Sequence, residues 1–195
     1  MDQEEPRAFL RSWPAFTYFQ VYKSQFDERE CNNIINLHRE NPIVVSKFYD
    51  HKGTTLRDSD IFWIPPYRNT DWIFNRLWDL VQVYNYNYGY DLTEDIGQAQ
   101  LTRYRPGQHY EWHMDLGSGQ PSLRKITAVV ELTARHSMEG GGIEIFHGQS
   151  GVNKVDLDIG DVVIFPSFIM HRASVVDNGT RWSLVLWLNG ARPFR

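Results

Sequence analysis

From Gly97 onward the helical period disappears. Eight short extended segments take its place, near 98–104, 109–114, 124–133, 142–147, 153–158, 161–166, 169–176 and 181–189. Turn residues separate them: Pro106-Gly107, Gly117-Ser118-Gly119, Gly140 to Gly142, Gly148 to Gly151, Gly160-Asp161 and Asn178-Gly179. Strands of this number and spacing fit a jelly roll or cupin-like double-stranded β-helix. The expected class is therefore mainly β (α+β), with helices and strands of the first half as support.

That support reads as follows. Residues 1–14 form a polar lead-in, and AFTYFQVY (15–22) is a strand. Asp27 and Glu30 have capping-box spacing ahead of an amphipathic helix over 28–40, with Cys31 on its apolar face. VVSKFYD (44–50) and RDSDIFWI (57–64) are two strands around His51-Lys52-Gly53. Thr70 is placed to cap the next helix, whose apolar positions 73, 74, 77, 80, 81 and 84 make one stripe for the outside of a sheet. YNYNYGY (84–90) reads first as structure or loop, with a substrate-groove lining as the alternative. The chain is expected to be one domain over 1–195, with 1–96 as the supporting layer and 97–195 as the β-helix core.

Bulk properties exclude several classes. The net charge of −4 gives no general attraction to nucleic acid or an anionic membrane. No apolar run reaches the roughly 18–20 residues of a membrane span. The acidic start MDQEEPRAF has no signal-peptide core, and one cysteine allows no internal disulfide. A cytoplasmic location is the expectation.

The stretch YRPGQHYEWHMD (104–115) carries the chemistry. Residues two apart in a strand point to one side, so His113 and Asp115 can reach one ion. An imidazole and a carboxylate are two of the three ligands of a 2-His-1-carboxylate iron(II) site. Alone the signal is weak, since seven His and fourteen Asp produce roughly half an H-x-D triplet by chance. His171, among apolar neighbours where a lone histidine is commonly a satisfied core residue, is the candidate third ligand, 58 residues on and with small Ala173 beside it on the same face. Arg181 follows ten residues later across the Asp177-Asn178-Gly179 turn. A hairpin between those last two strands is expected to turn Arg181 inward with His171. An inward guanidinium needs an anion, either an acid of the protein itself or a ligand carboxylate. Tyr104 shares a polar strand face with Gln98, Gln100 and Thr102. Thr127, Val129 and Glu131 share another, and Trp187 lies on that of Arg181, Ser183 and Val185.

The ordered set Y-x-P-G-Q-x-Y-x-x-H-x-D, E-G-G-x-I-E-I-F, G-D-V-V-I-F-P-S and H-x-(nine)-R-W-S-L-V-L-W resembles the prolyl-4-hydroxylase-like branch of the iron(II)/2-oxoglutarate dioxygenases, over roughly 98–189. The resemblance implies that His113, Asp115 and His171 ligate Fe(2+). It implies that Arg181 pairs with the distal carboxylate of 2-oxoglutarate, and that Tyr104 and Trp187 belong to the cosubstrate pocket; Thr127, on the face of Val129 and Glu131, is a further candidate for cosubstrate binding. It also implies O2 as co-reactant, ascorbate as an accessory, and hydroxylation of a substrate, first of all a peptidyl proline, with release of succinate and CO2. Protein, peptide or small molecule fits as partner, without nucleic acid or membrane. Glu131 departs from the pattern: many relatives carry an aromatic residue there, flanking 2-oxoglutarate. A carboxylate at that place is tolerated only if it is protonated, or turned to Arg181 or Lys125.

Two neighbouring chemistries are disfavoured. Asp115 argues against a halogenase-like variant, in which a small residue replaces the carboxylate. Trp187, six residues past Arg181, does not match the R-x5-R pattern of nucleic-acid demethylases. The rival from another class is a non-catalytic cupin-like module, holding zinc or no metal, which has no need of Arg181 at its spacing.

Overall fold

The computed structural model describes residues 17–94, 96–148 and 151–194. The lead-in expected over 1–14, and Ala15 and Phe16 of the first strand, lie outside them. Strand β1 (Gln20–Tyr22) precedes helix α1 (Glu28–Asn36), hairpin β2 (Ile43–Tyr49) and β3 (Thr55–Ile64), and helix α2 (Asp71–Asn85). The second half runs β4 (Ala99–Tyr104), β5 (His109–His113), β6 (Arg124–Glu131), β7 (Glu139–Gly140), β8 (Ile143–Phe146), β9 (Val152–Lys154), β10 (Val162–Pro166), β11 (His171–Ala173), β12 (Val176–Asn178) and β13 (Arg181–Asn189).

One curled antiparallel sheet holds most strands in the order β1-β10-β6-β13-β4-β3-β5-β11-β8-β9, with β2 on the outer side of β3. The alternation of β13 explains why it closes around a site. Leu184, Leu186 and Leu188 face the main apolar core. Arg181, Ser183, Val185 and Trp187 face a cavity. β6 and β4 obey the same rule: Ile126, Ala128, Val130, Ala99 and Leu101 lie in that core. The register carries the polar faces across the sheet, with Thr102 opposite Ser183 and Ser183 opposite Glu131. A slip of one residue would exchange the two faces of a strand, so burial of the leucines fixes the polar side inward. Each fully buried leucine contributes about 1.5–3 kcal/mol, which makes that slip costly.

The helices cover the apolar face. Asp27 accepts from the Glu30 amide, and Glu30 accepts from the Asp27 amide, a complete capping box for α1. Arg76 of α2 donates to both Glu30 oxygens, at 2.7 and 2.9 Å, tying the helices together. Ile73, Phe74, Leu77, Val81 and Tyr84 of α2 join the sheet core, as the stripe requires.

Several local expectations need correction. The α1 helix stops at Asn36, and Leu37–Arg39 tightens into a 3-10 turn. Thr70 holds the N-cap position, but its hydroxyl turns back to the Pro65 and Tyr67 carbonyls and so caps nothing. The extended run 169–176 is broken, because Val176 pairs with Gly140 in a separate two-stranded ribbon. No hairpin joins β11 to β13: β11 lies between β5 and β8, and β13 between β4 and β6. Arg181 and His171 face one cavity from opposite walls of the curl, not from paired strands. Among the described residues no helix is long and apolar enough to cross a membrane.

Candidate active site

The three expected metal ligands meet. His113 and His171 are direct partners across β5 and β11. Asp115, just past β5, is held by its amide on the Ser167 carbonyl at 2.9 Å. Nε2 of His113 lies 3.6 Å from Asp115 Oδ1, and Nε2 of His171 lies 3.5 Å from Asp115 Oδ2. One donor atom from each residue lies within 4.8 Å of the others. In both imidazoles Nδ1 contacts a backbone carbonyl, Glu111 O at 2.7 Å and Ile169 O at 2.8 Å. A carbonyl only accepts, so Nδ1 carries the proton and Nε2 keeps a bare lone pair aimed at the common point.

Protonation agrees. Burial pushes the His171 imidazole down to about 4, against the upward pull of Asp115. Burial alone would raise the Asp115 carboxyl, but His171, His113 and the Thr127 hydroxyl outweigh it and hold it well below the usual range. Neutral imidazole and ionised carboxylate are the ligating forms.

His113, Asp115, His171, Arg181, Tyr104, Trp187 and Thr127 all line one cavity of ≈ 250 Å³. Their positions within it differ from some expectations. Thr127 donates to Asp115 Oδ2 at 2.7 Å, so its hydrogen is committed to the candidate ligand carboxylate. Ser167 lies 3.0 Å from the Thr127 hydroxyl, which extends that support. Trp187 is not simply core: the Arg124 guanidinium stacks on it at 3.8 Å, and its indole nitrogen has no partner among the described residues.

Arg181 is 2 % exposed and already has a counter-ion. Its Nε donates to Glu131 Oε2 at 2.8 Å, and Nη2 lies 2.8 Å from the same oxygen. Nη2 makes no well-aligned hydrogen bond there, so the fork is not closed by Glu131. Burial pushes the Glu131 carboxyl up and Arg181 pulls it back. With a guanidinium at 2.8 Å we take the two as an ion pair. Glu131 thus turns to Arg181 and not to Lys125, which packs on Phe194 at 3.8 Å. Gly141, of the G-G pair, closes over this pair: at φ 68° its missing Cβ would stand 3.3 Å from Arg181 Cδ and 2.8 Å from Val176 Cγ2. Tyr104 faces Arg181 across the β4–β13 ladder.

Sequence reasoning missed Tyr110 and Arg57. Tyr110 stacks on His113, with ring centres 3.5 Å apart and planes 14° apart. Its place in the Y-x-x-H-x-D run was a usable signal. Arg57 lies outside every motif, on β3, and only the β3–β5 pairing brings it to Tyr110. The aromatic run 84–90 does not reach the cavity; Tyr84, Tyr88 and Tyr90 stack on one another.

The model of the 2OG-Fe(II) oxygenase superfamily matches residues 99–189. A PKHD-type hydroxylase of Crocosphaera subtropica is 33% identical over 97 residues, covering 48% of this chain and 43% of the relative. A PKHD-type hydroxylase of Teredinibacter turnerae is 33% identical over 107 residues, covering 52% and 47%. The chain thus matches under half the length of these curated relatives. A Pseudomonas putida prolyl-4-hydroxylase shares the fold with a TM-score of 0.70 and 19% identity, over 90% of this chain and 94% of that one. A Trichoplax adhaerens prolyl hydroxylase in complex with a hypoxia inducible factor peptide fragment gives 0.66 and 17%, over 88% and 83%. The whole expected site lies inside the segment that matches the superfamily model, and the chain shares its fold with these two prolyl hydroxylases.

Proposed function

We propose that this chain is a 2-oxoglutarate- and O2-dependent iron(II) hydroxylase whose first candidate substrate is a peptidyl proline. The observation that carries the reading is the convergence of three bare ligand atoms, from His113, Asp115 and His171, on a cavity that also contains a buried guanidinium. Two imidazoles and one carboxylate are the donor set of non-haem iron(II), and three protein ligands leave coordination positions for cosubstrate and oxygen. The bound metal supplies the oxidation, in which 2-oxoglutarate and O2 give succinate, CO2 and one oxygen inserted into a C–H bond.

The chain's own residues do the rest. Glu111 O and Ile169 O fix the imidazole tautomers, and Thr127 fixes the carboxylate. Arg181 takes the distal carboxylate of 2-oxoglutarate with the part of its fork that Glu131 leaves over, while Tyr104 and Trp187 wall the same end. The burial of Asp115 and His171 keeps bulk water off the ligands. Residues 1–96 and 97–195 act as one oxygenase domain in this reading, since α1 and α2 share one apolar core with β4, β6 and β13. The single cysteine, Cys31, is free and buried, which suits a reducing compartment such as the cytoplasm. Ascorbate is included as an accessory reductant.

A non-catalytic cupin-like module explains the curl and tolerates the Arg181–Glu131 pair, but it gives no use to the part of the Arg181 fork that Glu131 leaves open beside the three ligand atoms. The test is mass spectrometry of prolyl peptides after incubation with iron(II), 2-oxoglutarate, ascorbate and air. A gain of one oxygen on proline supports the reading. Succinate release with no oxygen on any prolyl peptide removes proline as the substrate. No succinate under any condition removes the hydroxylase.

A further inference from the structure

The cavity has a second buried guanidinium, and the expected machinery does not use it. Arg57 is 7 % exposed. Its Nε donates to Ser59 Oγ at 3.0 Å, while its Nη2 is buried without a hydrogen-bond partner. No carboxylate pairs with it among the described residues. A charge removed from water with nothing opposite is costly, so the position makes sense when an anion arrives from outside. Arg124, also in the cavity, differs: it stacks on Trp187 at 3.8 Å and donates to the Asp115 carbonyl at 3.2 Å. Arg172 differs too, being paired with Glu144 at 2.8 Å.

The place of Arg57 indicates which anion. Its guanidinium carbon lies 4.4 Å from the Tyr110 ring centre. The His113 ring fills one face of Tyr110 at 3.5 Å, so Arg57 covers the other. Arg57 therefore stands beside the Tyr110 phenol, one ring outward from the candidate metal ligands, on the wall built by β3 and β5. Arg181 and Glu131 stand on the wall built by β13 and β6, with β4 between. A cosubstrate stretched from the metal to Arg181 runs along that second wall and leaves Arg57 free.

We propose that Arg57, with the hydroxyl of Tyr110, binds a carboxylate of the primary substrate, so that this oxygenase acts on a molecule or chain end carrying an acid close to the oxidised carbon. The inference rests on the oxygenase reading above. A planar fork with a free Nη2 beside a phenol donor suits a carboxylate better than a neutral amide, which brings no charge to a buried cation.

The test is anaerobic calorimetry on the full chain loaded with iron(II), with and without 2-oxoglutarate. The probes are matched pairs of N-acetyl amino acids and their amides, N-acetylproline and N-acetylprolinamide among them. The acids should bind at least tenfold tighter than the amides, and Arg57→Gln should erase the difference. Its 2-oxoglutarate affinity should stay within twofold of wild type. Arg57→Lys keeps the charge without the fork and should retain part of the preference, which separates charge recognition from a folding defect. No acid–amide difference in the wild type, or an unchanged one in Arg57→Gln, overturns the proposal. A loss of 2-oxoglutarate affinity in Arg57→Gln also overturns it, by moving Arg57 to the cosubstrate. Failure of the wild type to bind 2-oxoglutarate at all is a separate result, against the hydroxylase reading itself.

Discussion

The two ends of the cavity are prepared in opposite ways. At the metal end every supporting hydrogen bond leaves a ligand atom bare: Nδ1 of each histidine is tied down and Nε2 is left free. At the arginine end the protein has already supplied the counter-ion, because Glu131 pairs with Arg181 at 2.8 Å. Three approaching donors without an ion are a loss that binding recovers. A neutralised guanidinium is instead stable by itself, and a ligand carboxylate must share it. The difference teaches that one end is built for affinity and the other for a fixed orientation at reduced charge.

The largest expected effect lies at the metal end. His171→Ala should lower manganese(II) or iron(II) affinity by more than a hundredfold in calorimetry and abolish turnover, while the fold persists by circular dichroism. At the other end Arg181→Ala leaves Glu131 buried without its counter-ion, with only the Thr133 amide still donating to it. Removing one member of a buried pair costs about 3–5 kcal/mol, so thermal unfolding should come roughly 10 °C earlier. The double change Arg181→Met with Glu131→Leu should recover most of that stability but none of the 2-oxoglutarate affinity. If the double variant is as unstable as the single one, the pair is not the reason for the loss.

Acid separates the ends as well. His171 is held at about 4, below the ordinary 6.5, so the folded metal-free protein binds fewer protons there than the unfolded chain. Its stability should rise with pH between about 4 and 6.5, by roughly 3 kcal/mol in total, and denaturant midpoints across that window measure it. His171→Gln should flatten the slope. A smaller effect is expected from Glu131→Gln, which removes a negative charge near the docking carboxylate. Even at an effective dielectric constant of about 20 this should tighten 2-oxoglutarate binding by roughly tenfold, after allowance for looser orientation of Arg181. Weaker binding in this variant would mean that orientation outweighs charge. The smallest effect is expected from Thr127→Val, with metal affinity down about tenfold through the loss of its bond to Asp115.

What was legible in the sequence follows the same division. His113 and Asp115 were readable because a strand's period of two is local, and the same period put Arg181, Ser183, Val185 and Trp187 on one face of β13. The existence of α1, α2 and the hairpin was legible from period and caps. Pairing was not. The chain after Asn178 gives no local sign that β13 enters between β4 and β6, so the Arg181 side of the cavity was expected for the wrong reason. Thr70 was misread because a threonine hydroxyl can turn to a preceding carbonyl as easily as to a following amide. Glu131 was recognised as out of pattern, yet its partner depended on a pairing across β6 and β13. Arg57 was invisible, because nothing within ten residues of it carries site chemistry.

The most direct measurement of the central claim is iron(II)-dependent release of succinate from 2-oxoglutarate, compared between the wild type and Asp115→Ala. The account predicts slow uncoupled release by the wild type, absent without iron(II) and absent in Asp115→Ala. Equal release by both proteins, or none by a wild type shown to bind iron(II), would contradict it.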